Sequence, residues 1–198
     1  MTWMLTASGN TFDLQWLRAD EVCIEDIAHS LAIQNRFHGH TLRPYSVAEH
    51  SLLVVEIMER DMGITEPGAL LAGLTHDAHE AYCSDLSTPM KRVIGPAWEA
   101  CEARIQHAVR GALGVLAVSA GWRHEVHHAD MVALATERRD VLPRSEALWL
   151  ALTGIEPTEC VRLGSRACLG WAHWRQAFLD KWNELASAVL AGGREAQA

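Results

Sequence analysis

The sequence predicts an all-α, single-domain helical bundle, and three observations carry that reading. Apolar residues recur at helical spacing in segment after segment from residue 24 onward, as in Ile24, Ile27, Ala28 and Leu31. Prolines, glycines and capping residues fall where such segments should begin and end. The 198 residues, 49% of them apolar, suit one domain with one continuous core. No internal repeat, low-complexity tract or linker divides the chain, so residues 1–198 are read as one unit. Its core spans about 24–142, and a C-terminal amphipathic helix spans about 165–190.

The elements follow in order. Leu5 to Phe12 sets apolar flanks around Ser8-Gly9-Asn10, the pattern of a short N-terminal hairpin. A helix is predicted over Ile24–Gln34. Gly39 and Pro44 then interrupt the chain in a loop, Asn35 to Tyr45. Ser46-Val47-Ala48-Glu49 has the form of a capping box and opens a helix to about Met62. Gly63 and Pro67 lead into an apolar helix over about Gly68–Tyr82, followed by the loop Asp85 to Pro89. Pro96 sits where a first helical turn tolerates proline, and that helix runs towards Gly111 or Gly114. Another spans about Trp122–Val141 and stops before Pro143. In the last helix Trp171, Trp174 and Trp182 form one stripe, buried or facing a second subunit.

Composition excludes several classes. No apolar run approaches the roughly 18–20 residues of a membrane span. The start, Met1 to Leu5, lacks the basic region and cleavage site of a secretory signal, so a cytoplasmic location and no membrane partner are expected. Five scattered cysteines without a C-x-x-C pair read as reduced thiols. The 17 basic and 25 acidic residues give a net charge of −8, which repels a nucleic-acid polymer. Isolated glycines without a Gly-rich loop disfavour Rossmann and P-loop enzymes. The eleven histidines gather at 38–50, 76–79 and 124–128, which makes a metal site worth testing.

His76-Asp77 lies beside the apolar run Leu70 to Thr75, where a charged aspartate is costly to bury alone. Either the pair faces solvent, or a divalent cation removes that cost. Adjacent residues sit about 100° apart on a helix, so further ligands must come from other helices. His50 and Asp130 are the candidates.

In order and helical context, His50, His76-Asp77 and Asp130 resemble the H…HD…D signature of the HD-domain superfamily of phosphohydrolases. The likeness is nearest to the compact bacterial 5′-deoxynucleotidases and the small phage deoxynucleoside triphosphohydrolases, and it spans Ile24 to Arg139. It rests on Asn35-Arg36-Phe37, Ser46 to Ser51, His76 to Glu80, Asp85 to Lys91 and Ala129-Asp130. The resemblance implies an HD-type bundle in which His50, His76, Asp77 and Asp130 hold one divalent metal: Mn, Co, Zn, Fe, Ni or Mg. It implies Glu80 as the catalytic carboxylate that orients or deprotonates water. Arg36 would clamp phosphate, Phe37 would flank sugar and base, and Asp85 would reach the deoxyribose hydroxyl. Lys91 either assists with phosphate charge or is a surface lysine. His40 either donates to phosphate or is an ordinary loop histidine, and His38 has the weaker claim. His79 points off a different helix face and is not expected to be a ligand. The activity implied is hydrolysis of a deoxynucleotide 5′ phosphoester, on a monophosphate or a triphosphate. A small-molecule substrate and a homo-oligomer, dimer or higher, belong to the same expectation.

Other readings remain open at this level. The chain could hydrolyse another phosphate ester or serve as a regulatory HD module. His124-Glu125-Val126-His127-His128 also satisfies the zinc-protease pattern H-E-x-x-H, but without an evident third ligand.

Overall fold

The structure is a computed structural model that describes residues 1–195. It opens with an antiparallel hairpin, β1 (Trp3–Leu5) against β2 (Thr11–Asp13). Gly9, at φ +85°, makes the turn, a conformation that glycine adopts without steric cost. Phe12 is the buried anchor of this hairpin and stacks on Tyr82 with ring centroids 3.9 Å apart.

The remaining regular elements are helical. They are α1 (Ile24–Ile33), α2 (Val47–Arg60), α3 (Pro67–Leu74), α4 (Glu80–Cys83), α5 (Thr88–Ile94), α6 (Pro96–Ala112), α7 (Leu116–Gly121), α8 (Arg123–Asp140) and α9 (Trp171–Glu195), with short 3₁₀ turns between some of them. Among the described residues no helix is long and apolar enough to cross a membrane.

Helix α2 is the hub, with α1, α3, α8 and α9 packed around it. Leu53, Val54, Val55, Ile57 and Met58 bury most of its circumference, as a central helix must. Its start follows the capping signal: the Ser46 hydroxyl accepts from the Glu49 amide at 3.1 Å. The Glu49 side chain does not return the bond. It is fully buried in a bidentate pair with Arg43, at 2.7 and 2.8 Å. Gly73 lets α3 approach α2, because a Cβ there would meet Met58 Sδ at 2.5 Å.

The single helix expected over Gly68–Tyr82 is broken. Thr75 leaves helical geometry, and its hydroxyl bonds the Leu71 carbonyl at 2.7 Å. The His76 Nδ1 bonds the Gly73 carbonyl at 2.8 Å. The His76 ring thus takes the Gly73 carbonyl that the Asp77 amide of a continuing helix would have used. The chain tightens to three-residue bonds, such as Ala78 to Thr75 and Glu80 to Asp77, before α4 resumes. Periodicity sees only apolar spacing and does not register such a break.

The last helix starts at Trp171 rather than near 165, after a 3₁₀ turn at Leu163–Arg166. Trp174, Phe178 and Leu185 are its buried residues. Trp171 is 51% exposed with its ring edge against His29. All five cysteines are free, as expected.

Candidate metal centre

Four side chains from three parts of the fold converge. His50 comes from the first turn of α2, His76 and Asp77 from the break after α3, and Asp130 from the middle of α8. His50 Nε2 stands 3.2 Å from His76 Nε2 and 3.2 Å from Asp130 Oδ1. Asp77 Oδ2 lies 3.1 Å from His76 Nε2 and 3.6 Å from His50 Nε2. The fifth distance, His76 Nε2 to Asp130 Oδ1, is 4.0 Å. Ligands about 2.1 Å from one tetrahedral ion stand roughly 3.4 Å apart, and the ligand atoms of His50, His76 and Asp130 all lie within 4.8 Å of one another, with Asp77 against the two histidines.

Protonation sharpens the point. His76 Nδ1 faces the Gly73 carbonyl, which only accepts, so Nδ1 carries the proton and Nε2 presents a lone pair. His50 Nδ1 faces the Glu137 carboxylate at 2.6 Å, with the same consequence. With both rings neutral, two imidazole lone pairs and two carboxylates face one another across a short distance. Only a cation, or a proton in its place, relieves that repulsion, and the residues fit a divalent metal.

The electrostatics agree. Burial and the Arg36 charge both oppose protonation of His50, but the Glu137 and Asp130 carboxylates outweigh them and raise its pKa to about 9. Burial pushes the Asp77 carboxyl up, but His76, His50 and Arg36 more than reverse this and hold it well below the usual range. Asp130 and Glu137 are likewise lowered against their burial, by His50 and by Arg36 with His50 respectively.

Glu137 escaped sequence reasoning, though a signal existed: it lies seven residues after Asp130, two turns along the same helix face. It is fully buried and orients His50 in a carboxylate–histidine arrangement.

The other expected residues sort unevenly. Arg36 is mostly buried, with Nε 3.2 Å from Glu137 Oε1 and Nη1 3.7 Å from Asp77 Oδ2. Its charge is thus already partnered, and it stands behind the ligands. Glu80 is buried, and one carboxyl oxygen lacks a protein partner. Burial, then the charges of Asp77 and Asp85, raise its pKa well above the ordinary range. Asp85 is raised chiefly by burial. Lys91 donates to Glu102 at 2.7 Å and sits 3.9 Å from Glu80.

Phe37 and His38 are non-glycine residues in the left-handed region, at φ 54° and 53°. Such strain costs about 1–3 kcal/mol each and concentrates at functional loops. The turn sets the Phe37 ring 6.5 Å from Trp149 and lets His38 Nε2 reach the Ser87 hydroxyl at 3.0 Å. His40 is exposed. His79 is outside that cluster, as expected: it is buried, 3.6 Å from Glu102, and its ring nitrogen lies near the carboxylates of Glu80 and Glu102.

His124 and His128 of the H-E-x-x-H pattern are exposed on α8, and among the described residues no third ligand joins them.

The fold and site define a helical protein built around a buried two-histidine, two-carboxylate cluster. The chain is 33% identical over 185 residues to the uncharacterized protein YfdR of Escherichia coli K12, covering 93% of this chain and 96% of that protein. It belongs to the family that includes YfdR. It is also 39% identical over 149 residues to the uncharacterized protein RCAP_rcc00048 of Rhodobacter capsulatus, covering 73% of this chain and 76% of that one. No protein-family model matches the chain.

Proposed function

We propose that the chain is a divalent-metal-dependent phosphohydrolase of the HD type that cleaves the 5′ phosphoester of deoxynucleotides. The observation that carries this reading is the convergence of the His50 and His76 lone pairs with Asp77 and Asp130 at spacings of 3.1–4.0 Å. His50, His76, Asp77 and Asp130 would hold the metal. Bound there, it would lower the pKa of a water and polarise a phosphoryl oxygen.

The chain's own residues supply the rest. Glu137 fixes the His50 ring through Nδ1, and the Gly73 carbonyl fixes His76. Glu80, buried with a raised pKa and one oxygen without a protein partner, is suited to take a proton from water. Lys91, tethered by Glu102, keeps a positive charge beside it. Asp85 shares the electrostatic field of Arg36 and Asp77.

The test is a product assay on metal-stripped protein reloaded with each candidate metal, against deoxy- and ribonucleoside mono- and triphosphates. Release of deoxynucleoside is expected. Glu80→Ala should lower turnover by about 10²–10⁴-fold while leaving bound metal in place. Full activity in Asp77→Ala, or silence across the panel with metal bound, would sink the assignment.

A further inference from the structure

A second cluster of ligand atoms stands outside the metal centre. His79 immediately precedes α4, Glu80 opens it, and Glu102 reaches them from the second turn of α6. One ligand atom from each lies within 4.8 Å of the other two. A histidine and two carboxylates so spaced are a donor set for a divalent ion. His79 and Glu80 are only 4% and 3% exposed, and His79 Nδ1 and Glu80 Oε2 have no partner among the described residues. Buried polar atoms without partners are uncommon, and two carboxylates in such a place call for a cation.

A cation is there, and the chain itself supplies it. Lys91, on α5, brings its Nζ to 2.7 Å from Glu102 Oε1 and 3.9 Å from Glu80 Oε1. The same Glu102 oxygen lies 3.6 Å from His79 Nε2, so ammonium and imidazole meet at one carboxylate. The ammonium bonds Glu102 alone and sets one positive charge against two carboxylates. An entering divalent ion would have to evict it from that bond or bear its repulsion at close range. Being tethered, the lysine also competes at a high effective concentration that no dilute ion matches.

We propose that Lys91 is a built-in cation standing in a latent second metal site, and that its ammonium limits the protein to the ion held by His50, His76, Asp77 and Asp130. The inference rests on that metal centre and deepens the hydrolase reading. In two-metal hydrolases a second ion clamps one of the reacting oxygens. Here a fixed ammonium supplies positive charge beside Glu80 and cannot be exchanged or chelated away. The plainer alternative is a partly exposed ion pair between Lys91 and Glu102 with little energetic weight. That alternative predicts no change in metal content when the lysine is removed.

The experiment is a count of bound Mn²⁺ and Zn²⁺ per full-length chain, by equilibrium dialysis and elemental analysis, with melting curves to show that each variant is folded. Lys91→Ala, which removes the ammonium and leaves room for an ion, should bind one divalent ion more than wild type. Lys91→Ala combined with Glu102→Gln should return to the wild-type number, and Lys91→Arg, which keeps the charge, should not depart from it. Lys91→Gln answers the same question should Lys91→Ala not melt cooperatively. An unchanged count in a folded lysine variant overturns the proposal. So does an extra ion that survives Glu102→Gln, because it sits elsewhere, and so does a wild-type ion lost in Glu102→Gln alone. The count is a difference and needs no turnover. An extra ion in Lys91→Ala with no nucleotide cleaved by any variant leaves this proposal standing and sinks the hydrolase reading, and cleavage by wild type without the extra ion does the reverse.

Discussion

Replacing Glu137 by glutamine tests the centre where its support is thinnest in number and strongest in geometry. Glu137 has no exposed surface, accepts from His50 Nδ1 at 2.6 Å and lies 3.2 Å from Arg36 Nε. Glutamine keeps the volume and an acceptor oxygen, so the change is essentially one of charge. Two consequences follow, and they are separately measurable. The His50 ring loses the carboxylate that raises the basicity of Nε2, so metal affinity should fall roughly 10–100-fold. That is about 1.4–2.7 kcal/mol. The Arg36 guanidinium keeps only Asp77, at 3.7 Å, as a charged partner within salt-bridge distance. Leaving a buried charge half-compensated costs up to about 3–5 kcal/mol.

At roughly 2–4 °C per kcal/mol for a chain of this size, the metal-free variant should melt about 6–20 °C lower. Competition against a chromophoric chelator reads the first effect, and calorimetric melting in excess chelator reads the second. A folded variant with wild-type metal affinity would show that Glu137 does not orient His50. A metal-free melting temperature within a degree or two of wild type would remove the buried-pair argument as well.

Further predictions follow from the same contacts. Metal needs neutral His50, whose metal-free pKa is raised to about 9. The His50 contacts therefore stabilise the metal-free protein fully below the unfolded value near 6.5, and that support is lost as pH rises through about 9. Metal affinity runs the other way, gaining about tenfold per pH unit up to about 9 and then levelling, with one proton released; a flat profile between pH 7 and 9 counts against it. Saturating metal at a thousand times its dissociation constant should add about 4.1 kcal/mol, and chelation should remove it, read as a melting shift of roughly 8–16 °C. Gly73→Ala places a Cβ 2.5 Å from Met58 Sδ in the core, so it should cost about 1–3 kcal/mol by denaturant unfolding. It should also weaken metal binding, because α2 and α3 lead into His50 and His76; a neutral substitution would mean Met58 repacks freely.

Much of the frame was legible in the sequence because its signals are local. Ser46 marked the start of α2, Pro96 that of α6, and the apolar stripe of residues 24–31 marked α1. What stayed hidden was decided by tertiary neighbours. The break at Thr75 depends on side chains bonding carbonyls one turn back, which apolar periodicity does not register. The four residues His50, His76, Asp77 and Asp130 could be named in advance because their types and order are distinctive. Glu137 and Arg110 look like ordinary helix charges until the fold shows one with no exposed surface and the other buried at Nε without a partner. Arg36, expected to clamp phosphate, lies against Glu137 and Asp77.

The position of these charges gives the site two unlike sides. Behind the ligands, Arg36 and Glu137 neutralise one another in a water-poor interior, where each fixes a neighbour: Glu137 holds His50, and Arg36 holds down the pKa of Asp77. In front, Arg110 and Arg123 line open space and have few protein partners to spend their charge on. A buried, paired arginine serves geometry, because moving it exposes an uncompensated carboxylate. An arginine on a cavity wall serves binding, because an arriving anion supplies the missing partner. Exchanging charge at the two places should therefore have different signatures. Arg36→Gln should disturb metal affinity and melting together, whereas Arg123→Gln should leave both unchanged.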